Sequence, residues 1–137
     1  VFRVRRVIEV GAVREALPKH PAIADARAAI ERAKQAQEIP EWTIVGTANM
    51  EFHSALVSLA DSPRLNIFFQ NVLAELRIAF VSLHSAEHLH APFVEQNEEL
   101  TVLLEQGRMT EAAAELETYL ARSERLVLAS FGRMGQS

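Results

Sequence analysis

Apolar residues recur every three or four positions along nearly the whole chain, and this spacing restricts the fold more than any other feature of the sequence. The period is that of an α-helix, in which residues three and four apart share a face. No stretch of useful length shows the period of two that a half-buried strand requires, and only five glycines are present. The sequence therefore predicts an all-α protein.

Prolines, capping residues and one glycine divide this pattern into six predicted helices. Proline suits the first position of a helix, serine and threonine cap its N-terminus, and glycine suits its end. By these signals the helices are residues 2–17, residues 21–37, a third from near Pro40, a fourth from Pro63 after the cap Ser62, a fifth that begins after Pro92 and stops at Gly107, and a sixth from Glu111, after the cap Thr110, to about Phe131. Because the connections are short, except for residues 84–92, consecutive helices are expected to pack as one antiparallel bundle.

The composition excludes several classes of protein. A chain of 137 residues with 49 % hydrophobic and 23 % charged residues suits one globular domain with one core. The absence of cysteine excludes disulfides, thiolate metal sites and a cysteine nucleophile. With a formal charge of −4, the chain lacks the excess of positive charge that is typical of proteins that bind nucleic acid or an anionic membrane. The longest apolar segment, residues 65–83, is interrupted by polar residues and is not expected to span a bilayer.

The first residues lie inside a helical pattern, without a methionine and without a capping residue. They also lack the uninterrupted apolar segment of a secretory signal. We interpret the chain as part of a longer polypeptide whose N-terminal portion precedes Val1.

Four of the predicted helices place polar side chains on their apolar faces. These residues are Arg6 on the first helix, Asn49 and His53 on the third, Asn97 on the fifth and Tyr119 on the sixth. Burying such a group without a partner costs roughly 1–3 kcal/mol. They are therefore either satisfied separately within the core or gathered around a shared polar cavity inside the bundle.

Four short segments, in this order, resemble a known family. They are "RRVIE" on the first helix, "NMEFHSAL" on the third, "SPRL" opening the fourth, and "LLEQGRMTEAAAELETYL" near the end. Together they resemble the FCD domain, the effector-binding domain of FadR-type regulators in the GntR family of bacterial transcription factors. The resemblance implies a cytoplasmic homodimer that binds a small organic acid or acyl effector, with a winged helix-turn-helix DNA-binding domain upstream of residues 1–137.

The resemblance also implies a metal position. Many FCD domains hold a divalent metal through an acidic residue and three histidines, and these positions fall on Asn49, His53, Asn97 and Tyr119, of which only His53 is retained. Amides and a phenol are poor ligands for a transition metal, so no cofactor is expected, and the four residues should line a hydrogen-bonding cavity. The basic residue that meets an effector carboxylate in such domains matches Arg6. Glu9, one turn away, could instead neutralise it internally.

The leading hypothesis is thus an effector-sensing and dimerising domain that is not an enzyme and acts on DNA through another domain. Two alternatives stay open: an enzyme using His53 as a general base beside Arg6, and a structural bundle without a ligand. The histidines at positions 84, 88 and 90 favour a solvated connection over a metal site, because Pro92 limits the helix there.

Overall fold

The computed structural model describes residues 1–81 and 86–135, with the side chains of residues 80–89 and 131–137 outside the description. Six helices and no strand are found in this part of the chain, which confirms the predicted all-α bundle. Helix α1 consists of Phe2–Arg5, the π-helical turn Arg6–Val10 and Gly11–Arg14; the others are α2 (Pro21–Glu38), α3 (Trp42–Ser58), α4 (Pro63–Val81), α5 (Ala86–Glu105) and α6 (Met109–Gly135).

Two helix starts follow the chemistry of their first residues. Pro21 opens α2, and the His20 side chain accepts a hydrogen bond from the backbone N–H of Ala22. At α4 the Ser62 hydroxyl accepts a hydrogen bond from the backbone N–H of Leu65 at 3.2 Å. Both contacts satisfy N–H groups that a helix terminus leaves without an intrahelical partner.

Other helix ends differ from the sequence prediction. Helix α1 stops at Arg14, and Leu17 beyond it is 67 % exposed. Gly107 has a φ of +74°, a left-handed conformation that glycine adopts without strain, and it separates α5 from α6. Because α6 already begins at Met109, Thr110 lies in its first turn and does not precede it.

The start of α5 is a larger correction. The sequence predicted that this helix begins after Pro92, yet it begins at Ala86 and contains Pro92. Proline removes one backbone donor and crowds the preceding turn, but a helix that is packed on one side can retain it. The longest predicted connection is therefore partly helical.

The core lies between α3 and the helices around it. Phe52 and Leu56 of α3, Ile30 of α2 and Leu116 of α6 are fully buried in one cluster, to which α1 and α5 also contribute. Ion pairs align α2 and α5: Arg27 binds Glu105, and Lys34, two turns further along α2, binds Glu98. The two helices are thus antiparallel. None of the described helices combines the length and apolarity needed to cross a membrane.

Candidate functional site

The four polar residues predicted on α3, α5 and α6 meet inside the bundle. All are buried, and they pair across helices. The Nε2 atom of His53 lies 2.9 Å from the hydroxyl oxygen of Tyr119, and the Asn97 amide donates to Oδ1 of Asn49 at 3.3 Å. The structure therefore brings these positions into one cluster, although their ligand-binding role remains a prediction.

Glu9, on the π-helical turn of α1, completes this cluster and is 0 % exposed. Its Oε1 atom lies 2.5 Å from Nδ1 of His53, and its Oε2 atom accepts a hydrogen bond from Nε of Arg5 at 2.7 Å. Sequence reasoning considered Glu9 only as a partner of Arg6. In the fold it joins α1 to α3 through a buried carboxylate with two partners.

Arg6 does not reach the cluster. Its side chain is 32 % exposed and donates to Glu124 of α6 at 3.0 Å, whereas Arg5 is 2 % exposed and lies beside Glu9. The π-helical turn explains the correction, because it holds more residues than an α-helical turn and shifts the preceding residues around the helix axis. The segment "RRVIE" contains both arginines, so the sequence alone did not distinguish them.

His90 was predicted in a solvated connection, but the longer α5 buries it. Its ring lies against Gly46 of α3, where an added Cβ would come within 2.8 Å of Nε2. A methyl group at position 46 would therefore displace the His90 ring. His84 and the side chain of His88 lie outside the described residues.

A small cavity of about 30 Å³ borders the cluster. Its polar lining comes from Arg5, Asn49, His53, His90, Tyr119 and Ser123, and its apolar lining from Gly46, Met50, Leu76 and Phe93. Ser123 belongs to the lining without having been predicted. A space of this size accommodates about one or two water molecules, or a group as small as a carboxylate.

Burial and pairing fix the charges around the cavity. Burial raises the pKa of Glu9, but the charges of Arg5 and His53 and their hydrogen bonds outweigh it, so this pKa is lowered. Burial lowers the pKa of His53 in spite of Glu9, and burial lowers that of His90 to about 4. Burial also raises the pKa of Tyr119. Near neutral pH, the charged groups of the described lining and cluster are thus Arg5 and Glu9.

Several polar atoms of the cluster retain bonding capacity. Glu9 binds the Nε atom of Arg5, and the two Nη atoms have no hydrogen-bond partner among the described residues. The Oδ1 atom of Asn97 is buried without a described partner. Arg5 lines the cavity, and a guanidinium is a strong donor to an anion.

The donor set does not fit the metal that the family resemblance implies. Both ring nitrogens of His53 are engaged, one by Glu9 and one by Tyr119. Glu9 is shared by Arg5 and His53, and the remaining positions supply amides and a phenol. No group of three histidine, cysteine, aspartate or glutamate side chains lies close enough to hold a metal among the described residues.

These features define a class of protein: a single all-α bundle built around an enclosed polar cluster. The model of the FCD domain matches residues 1–122, and the chain belongs to the FCD domain family. A solved structure described as "the crystal structure of a putative transcriptional regulator GntR from Rhodococcus sp. RHA1" is 32 % identical in sequence, with a TM-score of 0.90. The alignment covers 94 % of this chain and 62 % of that one. No curated protein matches the sequence.

Proposed function

We propose that this chain is the effector-sensing part of a GntR-type transcriptional regulator and that its effector is a small organic acid. The observation that carries the proposal is the buried guanidinium of Arg5, a residue that lines the cavity of about 30 Å³ inside an FCD fold. A buried cation with unused donors favours an anionic ligand over a neutral one. The effector carboxylate would bind Arg5, with Asn49, His53 and Tyr119 around it and Asn97 bonded to Asn49.

The bonding of His53 supports binding over catalysis. A general base needs a ring nitrogen that can reach a substrate proton. In this fold Nδ1 of His53 faces Glu9 and Nε2 faces Tyr119. The imidazole therefore holds two helices against α3, which suits a sensor whose packing responds to a ligand.

The same contacts offer a route from the ligand to DNA binding. An effector carboxylate at Arg5 would compete with Glu9, which lies on the π-helical turn of α1. Helix α1 is the first element of the chain, and in the proposed homodimer it follows a DNA-binding domain outside this chain. The ligand can shift the packing of α1 only if it binds one arrangement of α1 in the bundle more tightly than another.

Arg5 and Arg6 are adjacent in sequence, so variants of these two residues provide a matched test of anion binding, with acetate as the probe. Replacing Arg5 alone would leave Glu9 buried without its cation, at a cost of about 3–5 kcal/mol. The double variant Arg5→Gln/Glu9→Gln removes both charges together, and Arg6→Gln is the control. We expect millimolar acetate to raise the melting temperature of the parent and of the control, because a ligand of the native state stabilises it. The double variant should fold without this response.

Equal stabilisation by acetate in the double variant and the parent would contradict the proposal, because binding would then not involve Arg5. A loss of the response in Arg6→Gln but not in the double variant would restore Arg6 as the anion-binding residue. Circular dichroism of all three proteins establishes that each is folded before the comparison is made.

A further inference from the structure

The small cavity and a much larger groove share one lining residue. The groove lies between α5 and α6 and has a volume of about 380 Å³. Its polar lining consists of Gln96, Glu99, Glu115, Thr118 and Arg122. Within the described part of the chain, Tyr119 is the one residue that lines both the groove and the cavity.

The two volumes differ in what they can hold. The cavity of about 30 Å³ has room for a carboxylate but not for the rest of an organic acid. Small-molecule sites usually measure about 300–1,000 Å³, a range that the groove reaches by itself. A ligand whose carboxylate contacts Arg5 must therefore extend beyond the cavity.

Tyr119 is a wall whose own hydroxyl would find a new partner if the side chain moved, although the Nε2 atom of His53 would then lose its partner. Its hydroxyl is bonded to His53, and its ring contacts Phe93 with 4.9 Å between the ring centroids. Turned into the open groove, the hydroxyl would reach water, so the broken hydrogen bond would be replaced. A ligand hydroxyl or carboxylate could take its place beside His53.

The opposite wall is Met50, which separates the cavity from a second groove of about 330 Å³ between α3 and α4. Met50 belongs to an apolar cluster with Phe69, Val72 and Leu73. Displacing it would disrupt that cluster and expose apolar surface, which is unfavourable. The α5–α6 side is therefore the favoured route.

We propose that Tyr119 is a movable wall and that the binding site includes both the cavity and the α5–α6 groove. The effector is then an elongated organic acid with its carboxylate at Arg5 and a polar remainder along the groove. The lining of glutamates, Gln96, Thr118 and Arg122 suits hydroxyl or amide groups and is unsuitable for a plain hydrocarbon chain. This inference rests on the proposed function and adds the shape and polarity of its ligand.

The sequence contains one tyrosine, so any tyrosine-specific signal reports on Tyr119 alone. The chain would be prepared with ¹³C-labelled tyrosine and its NMR ring signals followed with acetate, hexanoate or 6-hydroxyhexanoate. A soluble paramagnetic agent measures exposure of the ring. We expect 6-hydroxyhexanoate to expose the ring to the agent, acetate to leave it shielded, and hexanoate to bind more weakly than its hydroxylated counterpart.

Two variants test the wall directly. Tyr119→Ala joins the two spaces, so the affinity for 6-hydroxyhexanoate relative to that for acetate should rise about tenfold. Thr118→Ala, at the adjacent position but lining only the groove, is the matched control. Tyr119→Phe retains the ring and removes the bond to His53, so association of the longer acid should become faster even if the alanine variant fails to fold.

Tight binding of 6-hydroxyhexanoate with Tyr119 still shielded would overturn the inference while leaving the proposed function intact. A response confined to the methyl signal of Met50 would do the same and assign the route to the α3–α4 groove. Failure of acetate to bind would contradict the proposed function as well, because acetate requires only the small cavity.

Discussion

His90 links the stability of the fold to pH. Burial lowers the pKa of this histidine from 6.5 to about 4, so the folded chain keeps it neutral where the unfolded chain takes up a proton. The unfolded state therefore binds more protons between these two values, and stability falls as the pH decreases through them. His53, whose pKa is also lowered, adds a contribution of the same sign.

We therefore predict that the free energy of unfolding decreases as the pH falls from about 7 to about 5. The total contribution from His90 is on the order of 3 kcal/mol once the pH lies below the pKa values of both the folded and the unfolded chain. Urea denaturation at several pH values measures this slope. His90→Gln should flatten it. An unchanged slope in His90→Gln would contradict the burial of a neutral imidazole.

The hydrogen bonds of His53 predict whether the site binds a metal. Both ring nitrogens already have partners, and Asn49, Asn97 and Tyr119 are poor metal ligands. We expect protein purified without added metal to contain well under one equivalent of zinc, nickel or manganese, and chelation to leave its melting temperature unchanged. Elemental analysis decides the matter, since a stoichiometric metal that is lost in His53→Ala would show that these ligands suffice.

The triple variant Asn49→Asp/Asn97→His/Tyr119→His is the positive control for that measurement. It rebuilds the acidic residue and the histidines of the family pattern around His53. A gain of zinc by this variant would show that the backbone geometry permits a metal and that side-chain chemistry alone excludes it. Zinc ligation by one carboxylate and three imidazoles satisfies the usual four-coordinate preference.

At the scale of helices, Gly46 tests how closely α3 and α5 approach, and Gly11 of α1 is its control. Gly46 faces the His90 ring at a distance that leaves no room for a methyl group, whereas a Cβ at Gly11 of α1 would meet nothing within 4 Å. Gly46→Ala should therefore destabilise the fold by about 1–3 kcal/mol through overpacking. Gly11→Ala should stabilise it by about 0.5–1 kcal/mol, because alanine favours a helix.

Thermal unfolding of both variants measures these opposite effects. His90 is a side chain that can yield, so the double variant Gly46→Ala/His90→Ala should recover part of the lost stability. Destabilisation of similar size at Gly11 and Gly46 would indicate that the ordinary cost of changing a helical residue, and not the contact with His90, explains the result.

On the scale of the whole molecule, α4 exposes apolar residues that its own bundle does not cover. Ile67 and Ile78 lie on one face of the helix and are 69 % exposed, and Phe68 is beside them. Exposed apolar patches often mark interfaces between proteins. If the chain forms the proposed homodimer, this face of α4 is the surface on which a second copy would pack.

Sedimentation velocity tests that arrangement. We expect the parent to sediment as a dimer and Ile67→Asp/Ile78→Asp as a folded monomer, because a buried interface does not tolerate unpaired carboxylates. Leu128→Asp on α6 replaces another exposed apolar residue and should leave the dimer intact. A dimer that persists in the α4 variant and dissociates in the α6 variant would place the interface on α6.

The sequence by itself determined the helical class, the number of helices and which polar residues of α3, α5 and α6 face the interior. These properties depend on local chemistry: periodicity within one helix, a cap such as Ser62, and the conformational freedom of Gly107. The FCD family was also recognisable, because the order of short segments survives along the chain.

Only the tertiary structure decided that Arg5 and not Arg6 is buried, that α5 continues across Pro92, and that His90 lines the cavity. In each case the deciding partner is distant in sequence. Glu9 binds His53 of α3, which fixes the rotation of α1 around its axis, and His90 packs on Gly46 of α3. A regular helical wheel assumes 3.6 residues per turn and no neighbours, so it cannot anticipate a π-helical turn formed at a buried carboxylate.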